Sequence, residues 1–330
     1  MLTLDVGALR VGSGAVLVAL AVDRWLGEPP VRLHPVVWIG NYLGWAGRRA
    51  APAAAVPGGT GPDARDFKHF WLGVLAWWAG LAMVWLVSWE LQKTVAAWPP
   101  LLAALVLGLL LKPLLAWRML RGEVQAVEAA LAQSLDAGRA RLARLVSRDV
   151  TNLSESPVRE SAIESLAENL NDSVVAPLFW FAVAGLPGAA LYRFANTADA
   201  MWGYRGERGG RVWEWAGKWA AHADDLLSWL PARLTAGLLA LAAGGLSLAA
   251  LRREAARTPS PNSGWPMAAM ALVLGVRLAK PGVYVLHAEG RAPLAADMRR
   301  ACALAGRAVA ALVLAAALVL VGSTGWGAHG

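Results

Sequence analysis

Charged side chains make up only 16% of this 330-residue chain, against 57% hydrophobic residues. That balance excludes an ordinary soluble domain, in which about a quarter of residues carry charge. Cysteine is almost missing: Cys302 stands alone, so the chain forms no intrachain disulfide and no cysteine-based zinc cluster. The redox compartment stays open for the same reason. No internal repeat runs along the chain. The net charge of +8 comes mostly from Arg between apolar runs, the pattern of membrane-protein loops rather than of a nucleic-acid binder.

What the chain has in quantity is uninterrupted apolar sequence. Charge-free stretches run over 70–89, 94–111, 173–192, 234–251 and 308–327, each near the roughly 20 residues a helix needs to cross hydrocarbon. A shorter one covers 11–22. The 18 Trp suit interfacial belts at the bilayer surface. The reading is an all-α, polytopic integral membrane protein, one domain over 1–330 with about four to six spans by the length criterion. Polar segments lie near 23–69, 118–172, 196–233 and 252–302. The Pro, Gly and Ala run over 51–66 reads as a flexible loop. Over 121–145 the pattern is that of an amphipathic, Arg-studded helix, and Ser156-Pro157 reads as the N-cap and first residue of the next one.

Pro177, Gly185, Pro187 and Gly188 interrupt the 173–192 stretch, which makes it a re-entrant or broken helix. Charge counting agrees. The segments 118–159, 193–233 and 252–300 are all basic, and simple alternation cannot put all three inside, so at least one apolar segment fails to cross. Residues 267–279 are too short to span and are expected to dip or lie at the surface.

Glu160, Glu164, Glu168 and Asp172 recur every fourth residue, a drifting acidic stripe with Cβ atoms roughly 6 Å apart. Each like-charged pair costs about 0.2–0.5 kcal/mol. A hard cation carrying a phosphate would offset that cost, because clustered oxygen ligands suit Mg²⁺. A solvated face paired with nearby Arg is the competing explanation.

Several motifs stand in one order along the chain: Asp23-Arg-Trp-Leu-Gly-Glu28-Pro29 with His34-Pro35, Glu164-Ser-Leu-Ala-Glu168-Asn169-Leu-Asn-Asp172 running into Ala176-Pro177-Leu178-Phe179-Trp180, Arg193-Phe-Ala-Asn196-Thr197-Ala-Asp199, Asp224-Asp225 and Ser260-Pro261-Asn262-Ser263-Gly264. Together they resemble the CobD/CbiB family of cobalamin biosynthesis, the adenosylcobinamide-phosphate synthases, from Asp23 to about Gly282. The resemblance implies a multi-pass inner-membrane enzyme with its active site facing the cytoplasm. It implies ATP- and Mg²⁺-dependent amide formation between the propionate of a corrinoid, adenosylcobyric acid, and (R)-1-amino-2-propanol or its phosphate. Because Asp23 falls inside a family motif, 11–22 is disfavoured as a cleaved secretory signal, although Arg10 and Ala19-Leu-Ala21 imitate one.

Glu164, Glu168 and Asp172 are the expected metal ligands, with Asn169, Asp199, Asp224 and Asp225 completing the catalytic set. His34, Arg148, Arg193, Asn196, Arg205 and Asn262 are expected to bind substrate or phosphate, the Arg residues through bidentate contacts. Asp224 or Asp225 is the expected general base for the incoming ammonium. Each has a duller competitor: caps and turns for the Asp residues, His34 and Asn262, positive-inside determinants for the Arg residues. Glu160 lies outside the family pattern and is expected to be surface charge. His222 stands where relatives carry Arg, and 285–289 diverges. A corrinoid-binding transporter and a non-catalytic membrane scaffold are the rival functions. Assembly into a homo-oligomer stays open.

Overall fold

The computed structural model describes residues 6–54 and 65–326; most of the expected flexible loop, 55–64, lies outside them. The described residues are 74% helical, with two small β-hairpins. Among the described residues five helical runs are long and apolar enough to cross a membrane: Val6–Trp25, Phe67–Ala96, Pro100–Leu131, Glu155–Trp202 and Ala295–Ser323. Large apolar side chains lie exposed along them, among them Leu75, Leu86, Leu101, Leu314 and Leu318. Water does not tolerate such faces; lipid does.

Helix α1 (Val6–Trp25) packs on α4 (Pro100–Leu111) and on α12 (Ala295–Trp326). Between them come α2 (Pro35–Ala50) and α3 (Phe67–Ala96), and after them α5 (Trp117–Leu131) and α6 (Leu135–Leu142). The amphipathic stretch over 121–145 is therefore two helices, broken where Ser134 caps α6 by accepting from Ala137 N. The acidic helix α7 (Glu155–Leu170) begins earlier than expected, with Ser154 at its N-cap and Glu155 in the first turn. Ser156 instead donates to Glu160 Oε1 at 3.1 Å. Of the Trp residues, Trp25, Trp38, Trp71 and Trp229 are exposed, whereas Trp77, Trp117 and Trp202 are core; the interfacial-belt reading holds for only part of the set.

After α7 the ladder widens into a single π turn, Asn171–Val175, and continues as α8 (Ala176–Trp202). This run does not go straight. Twenty residues of straight helix would separate two side chains by about 30 Å. Yet Tyr192 Oη donates to Asp172 Oδ1 at 3.4 Å and Arg193 Nη1 donates to Asp172 O at 3.1 Å. The chain reverses at Ala184 (φ −138°, ψ 20°) and Gly185 (φ 65°, ψ −155°), both outside helical space. Gln92 on α3 caps the returning arm, accepting from Leu186 N at 2.6 Å. Pro187 sits in that arm's first turn, where a missing N–H costs nothing. A Cβ on Gly188 would come 2.3 Å from Trp180 O, so glycine lets the arms close. The re-entrant expectation is met, and the reversal returns Arg193 to the side the chain left at Asp172.

Gly185 occupies a backbone region that only glycine adopts cheaply, and a side chain there costs about 1–3 kcal/mol. Gly185→Ala would also place its Cβ 2.2 Å from Gln92 Oε1 and dislodge the cap. A loss of that size is expected in thermal unfolding of the detergent-solubilised protein. Gln92→Ala should lose about 1 kcal/mol, one hydrogen bond.

The remaining elements are β1 (Glu207–Arg208) with β2 (Arg211–Val212), α9 (Lys218–Ala242), α10 (Leu248–Ala255), α11 (Gly264–Leu274), and the antiparallel pair β3 (Leu278–Lys280) and β4 (Tyr284–Leu286). Two expectations fail here. The 234–251 stretch is not a span, because α9 ends at Ala242 and Gly244 and Gly245, both at positive φ, turn the chain into α10. Nor does 267–279 lie at the surface: Ala268, Ala269, Met270 and Ala271 are fully buried, packed between α7, α9 and α10.

Candidate active site

The acidic stripe splits into two halves. Glu160 is 1% exposed and pairs with Arg277 at 3.2 Å; it is a buried structural charge, not surface. Glu164, also buried, pairs with Arg148 at 2.8 Å. Among the described residues Glu168 and Asp172 form no ion pair. Both are half-buried, and they lie where the stripe reaches the π turn and the base of the helical hairpin.

The π turn sets that base. Its widened ladder leaves carbonyls available to outside donors: Ser173 O accepts from Ala116 N at 3.0 Å, and Asp172 O accepts from Arg193. Asn171 donates to Asp172 Oδ1 at 2.8 Å while its own Oδ1 accepts from Thr235 at 3.0 Å, tying the turn to α9. Tyr192 shares its hydroxyl between Asp172 and Ser228 Oγ. Arg193 spends Nη1 on Asp172 O, Ser173 Oγ and Asn196 Oδ1. Its Nε is buried with no protein partner, which leaves one edge of the fork free for a carboxylate or phosphate.

Acids from separate stretches lie within electrostatic reach of one another. Glu168 stands within electrostatic reach of Asp172, Glu164, Lys280 and Asp199. Asp199 reaches Asp172 and Asp225. Asn196 donates to Asp224 Oδ1 at 3.4 Å. Burial, then the charges of Asp172 and Asp199, push the Asp224 carboxyl well above its ordinary range. Asp225 is raised as well, chiefly by burial, against the lowering effect of His222 and Asn262.

Not every expected residue joins them. Asn262 is buried with its amide engaged inside the protein: Nδ2 donates to Asp225 O at 2.6 Å and Oδ1 accepts from Arg233 at 2.7 Å. It ties the α10–α11 loop to α9. His34 caps α2 through Nδ1, so Nε2 carries the proton toward Glu28 at 3.3 Å; neither nitrogen is left for a ligand. Arg205 is exposed in the loop after α8, outside this network.

Beside the carboxylates lies a polar cavity of about 170 Å³, walled by Arg148, Ser161, Glu164, Glu168, Lys280 and Tyr284 among others, with Asn169 on the same wall. A larger one, about 810 Å³, lies between α1, α2, α3, α4 and α8 and is almost wholly apolar. Most of its few polar groups are engaged elsewhere: Tyr42 donates to Ala76 O, Ser88 to Val84 O, and Lys112 pairs with Asp23 and Glu28, although Glu28 Oε1 has no hydrogen-bond partner. The smaller cavity, with Arg148 and Lys280 in its wall, is the one whose lining suits an anion. Among the described residues no three His, Cys, Asp or Glu side chains stand close enough to hold a metal ion unaided. Glu164, Glu168 and Asp172 are thus no ready cage, because Arg148 holds Glu164. Mg²⁺ that arrives on phosphates takes only one or two protein carboxylates, and Glu168 and Asp172 are the residues that would hold it.

Sequence reasoning missed Lys280, Tyr284, Asn171, Tyr192 and Lys112. For Lys112 a signal existed, a lone lysine amid apolar residues.

The fold and the site together define a polytopic helical membrane protein with a half-buried acidic crevice at the base of a re-entrant hairpin. A family model described as CobD/Cbib protein matches residues 16–314, and the chain belongs to that family. It is 40% identical over 304 residues to the probable cobalamin biosynthesis protein CobD of Thermococcus kodakarensis, covering 92% of this chain and 94% of that one. The cobalamin biosynthesis protein CobD of Chromobacterium violaceum is 40% identical over 316 residues, 92% of this chain and 96% of its own. The probable CobD of Methanothermobacter thermautotrophicus is 38% identical over 277 residues, 82% and 85% respectively. No solved structure matches the chain.

Proposed function

We propose that this protein acts in cobalamin biosynthesis as an amide-forming ligase. It joins the propionate carboxyl of adenosylcobyric acid to (R)-1-amino-2-propanol or its phosphate, with ATP as co-substrate. One observation carries the reading: Glu168 stands at the junction between a polar cavity bearing Arg148 and Lys280 and a half-buried cluster of Asp172, Asp199 and Asp224. Holding that many carboxylates together with few counter-charges costs stability, and a cationic ligand offsets the cost.

A carboxylate is a poor acyl donor at neutral pH. In the proposed reaction its oxygen attacks the γ-phosphorus of ATP, ADP leaves, and an acyl phosphate remains. The amine then attacks the acyl carbon, inorganic phosphate leaves, and the nitrogen gives up a proton. Mg²⁺ held by Glu168 and Asp172 would screen the phosphate charge. Arg193 offers its unpartnered Nε edge to the propionate. Asp224 takes the proton. Because ATP is supplied from the cytoplasm, the crevice faces that side.

The test is reconstitution: purified protein with Mg²⁺, ATP, adenosylcobyric acid and aminopropanol phosphate should release ADP and form the amide in equal amounts. Corrinoid transport into proteoliposomes without amide formation would replace this reading with a transporter. A base must be unprotonated to work, so a raised Asp224 pKa predicts that activity is lost as pH falls through a value above the ordinary carboxylate range. The acid limb of kcat/KM against pH should lie there, and Asp224→Asn should remove that limb and lower the rate about 10²- to 10⁴-fold.

A further inference from the structure

The hairpin β3–β4 lies outside the family motifs noted in the sequence, yet it closes the polar cavity. Lys280, Pro281, Gly282 and Val283 form its turn. Val283 N donates to Lys280 O at 3.0 Å and Gly282 has φ 74°, the hydrogen bond and positive φ of a type II turn with Pro at its second position. The register pairs Lys280 with Tyr284 and Leu278 with Leu286. Alternation puts all four on one face of the ribbon. Leu278 and Leu286 are fully buried, and β3 packs on α7, so that face is turned toward the acidic helix. Lys280 and Tyr284 both line the cavity.

The cavity is unfinished on both of its charged walls. Glu164, 3% exposed, keeps Oε1 buried with no hydrogen-bond partner, and Arg148 keeps Nε buried in the same condition. Lys280 forms no ion pair among the described residues, although its charge acts on Glu168. Tyr284 Oη donates to Met267 Sδ at 3.6 Å, and burial, with the charges of Glu164 and Glu168, raises the phenol above its ordinary range.

We infer that the β3–β4 hairpin is a phosphate clamp: Lys280 and Arg148 grip the phosphates of the nucleotide, while Tyr284 closes the cavity beside Glu164 and Glu168. This rests on the proposed function. A flexible ammonium held by a rigid turn suits a phosphate, which it meets as a point charge. Two basic groups beside Glu168, which forms no ion pair among the described residues, suit a phosphate that brings its own divalent ion.

Equilibrium binding of Mg-ATP and of the corrinoid to purified protein, measured separately, tests the clamp. Lys280→Ala should weaken Mg-ATP binding about 10- to 100-fold, the range of a charged hydrogen bond, and leave corrinoid affinity unchanged. Lys280→Arg should recover most of the loss, and Lys280→Met, which keeps the apolar stem, should behave like the alanine variant. Unchanged Mg-ATP affinity in Lys280→Ala and Lys280→Met overturns the clamp while the proposed function stands. If the unaltered protein binds corrinoid but no Mg-ATP, the proposed function fails and takes the clamp with it. A loss of both affinities in every variant, Lys280→Arg included, makes the hairpin structural and also overturns it.

Discussion

Asp172→Asn is expected to cut amide formation roughly 10²- to 10⁴-fold and to leave the protein as stable as before, or more so. The two halves of that result come from one arrangement. Asp172 meets Asn171, Tyr192 and the charges of Glu168, Asp199 and Asp224, against which stand the guanidinium of Arg193 beside Asp172 and the ammonium of Lys280 near Glu168. An amide of the same shape still accepts from Tyr192 while removing one negative charge from a crowded crevice. Relief of such strain at a functional site yields about 0.5–2 kcal/mol. Glu168→Gln should behave the same way. Turnover and thermal unfolding measured on one preparation separate the alternatives, since a merely structural Asp172 would lose stability and activity together. Normal turnover in both variants would remove these carboxylates from the chemistry.

Much of this was legible in the chain because membranes and helices impose strict local rules. The apolar runs announced the spans, and Pro177, Gly185, Pro187 and Gly188 announced the reversal, since each disfavours an unbroken helix there. The four-residue spacing put Glu160, Glu164, Glu168 and Asp172 on one stripe. Spacing cannot say what lies opposite, however. Arg277, over a hundred residues away, buries Glu160, and Arg148 withdraws Glu164 from the metal set. Apolar sequence likewise does not distinguish lipid from protein as the neighbour: α11 is as apolar as a span, yet it is enclosed by other helices. The Lys280-Pro-Gly turn carries a hairpin signal that the all-α reading passed over. That its two flanking side chains close a cavity over α7 depends on a packing no local pattern encodes.

The largest expected loss of stability lies away from the crevice, at Lys112. This lysine is 2% exposed, and its Nζ lies 3.1 Å from Asp23 Oδ1 and 2.7 Å from Glu28 Oε2. Asp23 in turn accepts from Arg118 N at 2.8 Å, so the cluster fixes the end of α1 against the start of α5. Lys112→Ala strands two carboxylates in a place with little water, and breaking a buried pair from one side costs about 3–5 kcal/mol. Removing the charges together, as Lys112→Met with Asp23→Asn and Glu28→Gln, should return most of that loss, because the pair repays little beyond its own desolvation. The pH response supplies the sign. Burial would raise the Glu28 carboxyl, but its bonds with His34 and Lys112 overcome burial and hold it below the ordinary range. A depressed folded-state pKa contributes stability above the unfolded value and loses it as pH falls through the depressed one. The intact protein should therefore weaken on acidification below the usual carboxylate range. Lys112→Ala should respond in the opposite direction, gaining stability as its stranded carboxylates protonate. Parallel melting curves for the two proteins across that range would show that the cluster carries no such energy.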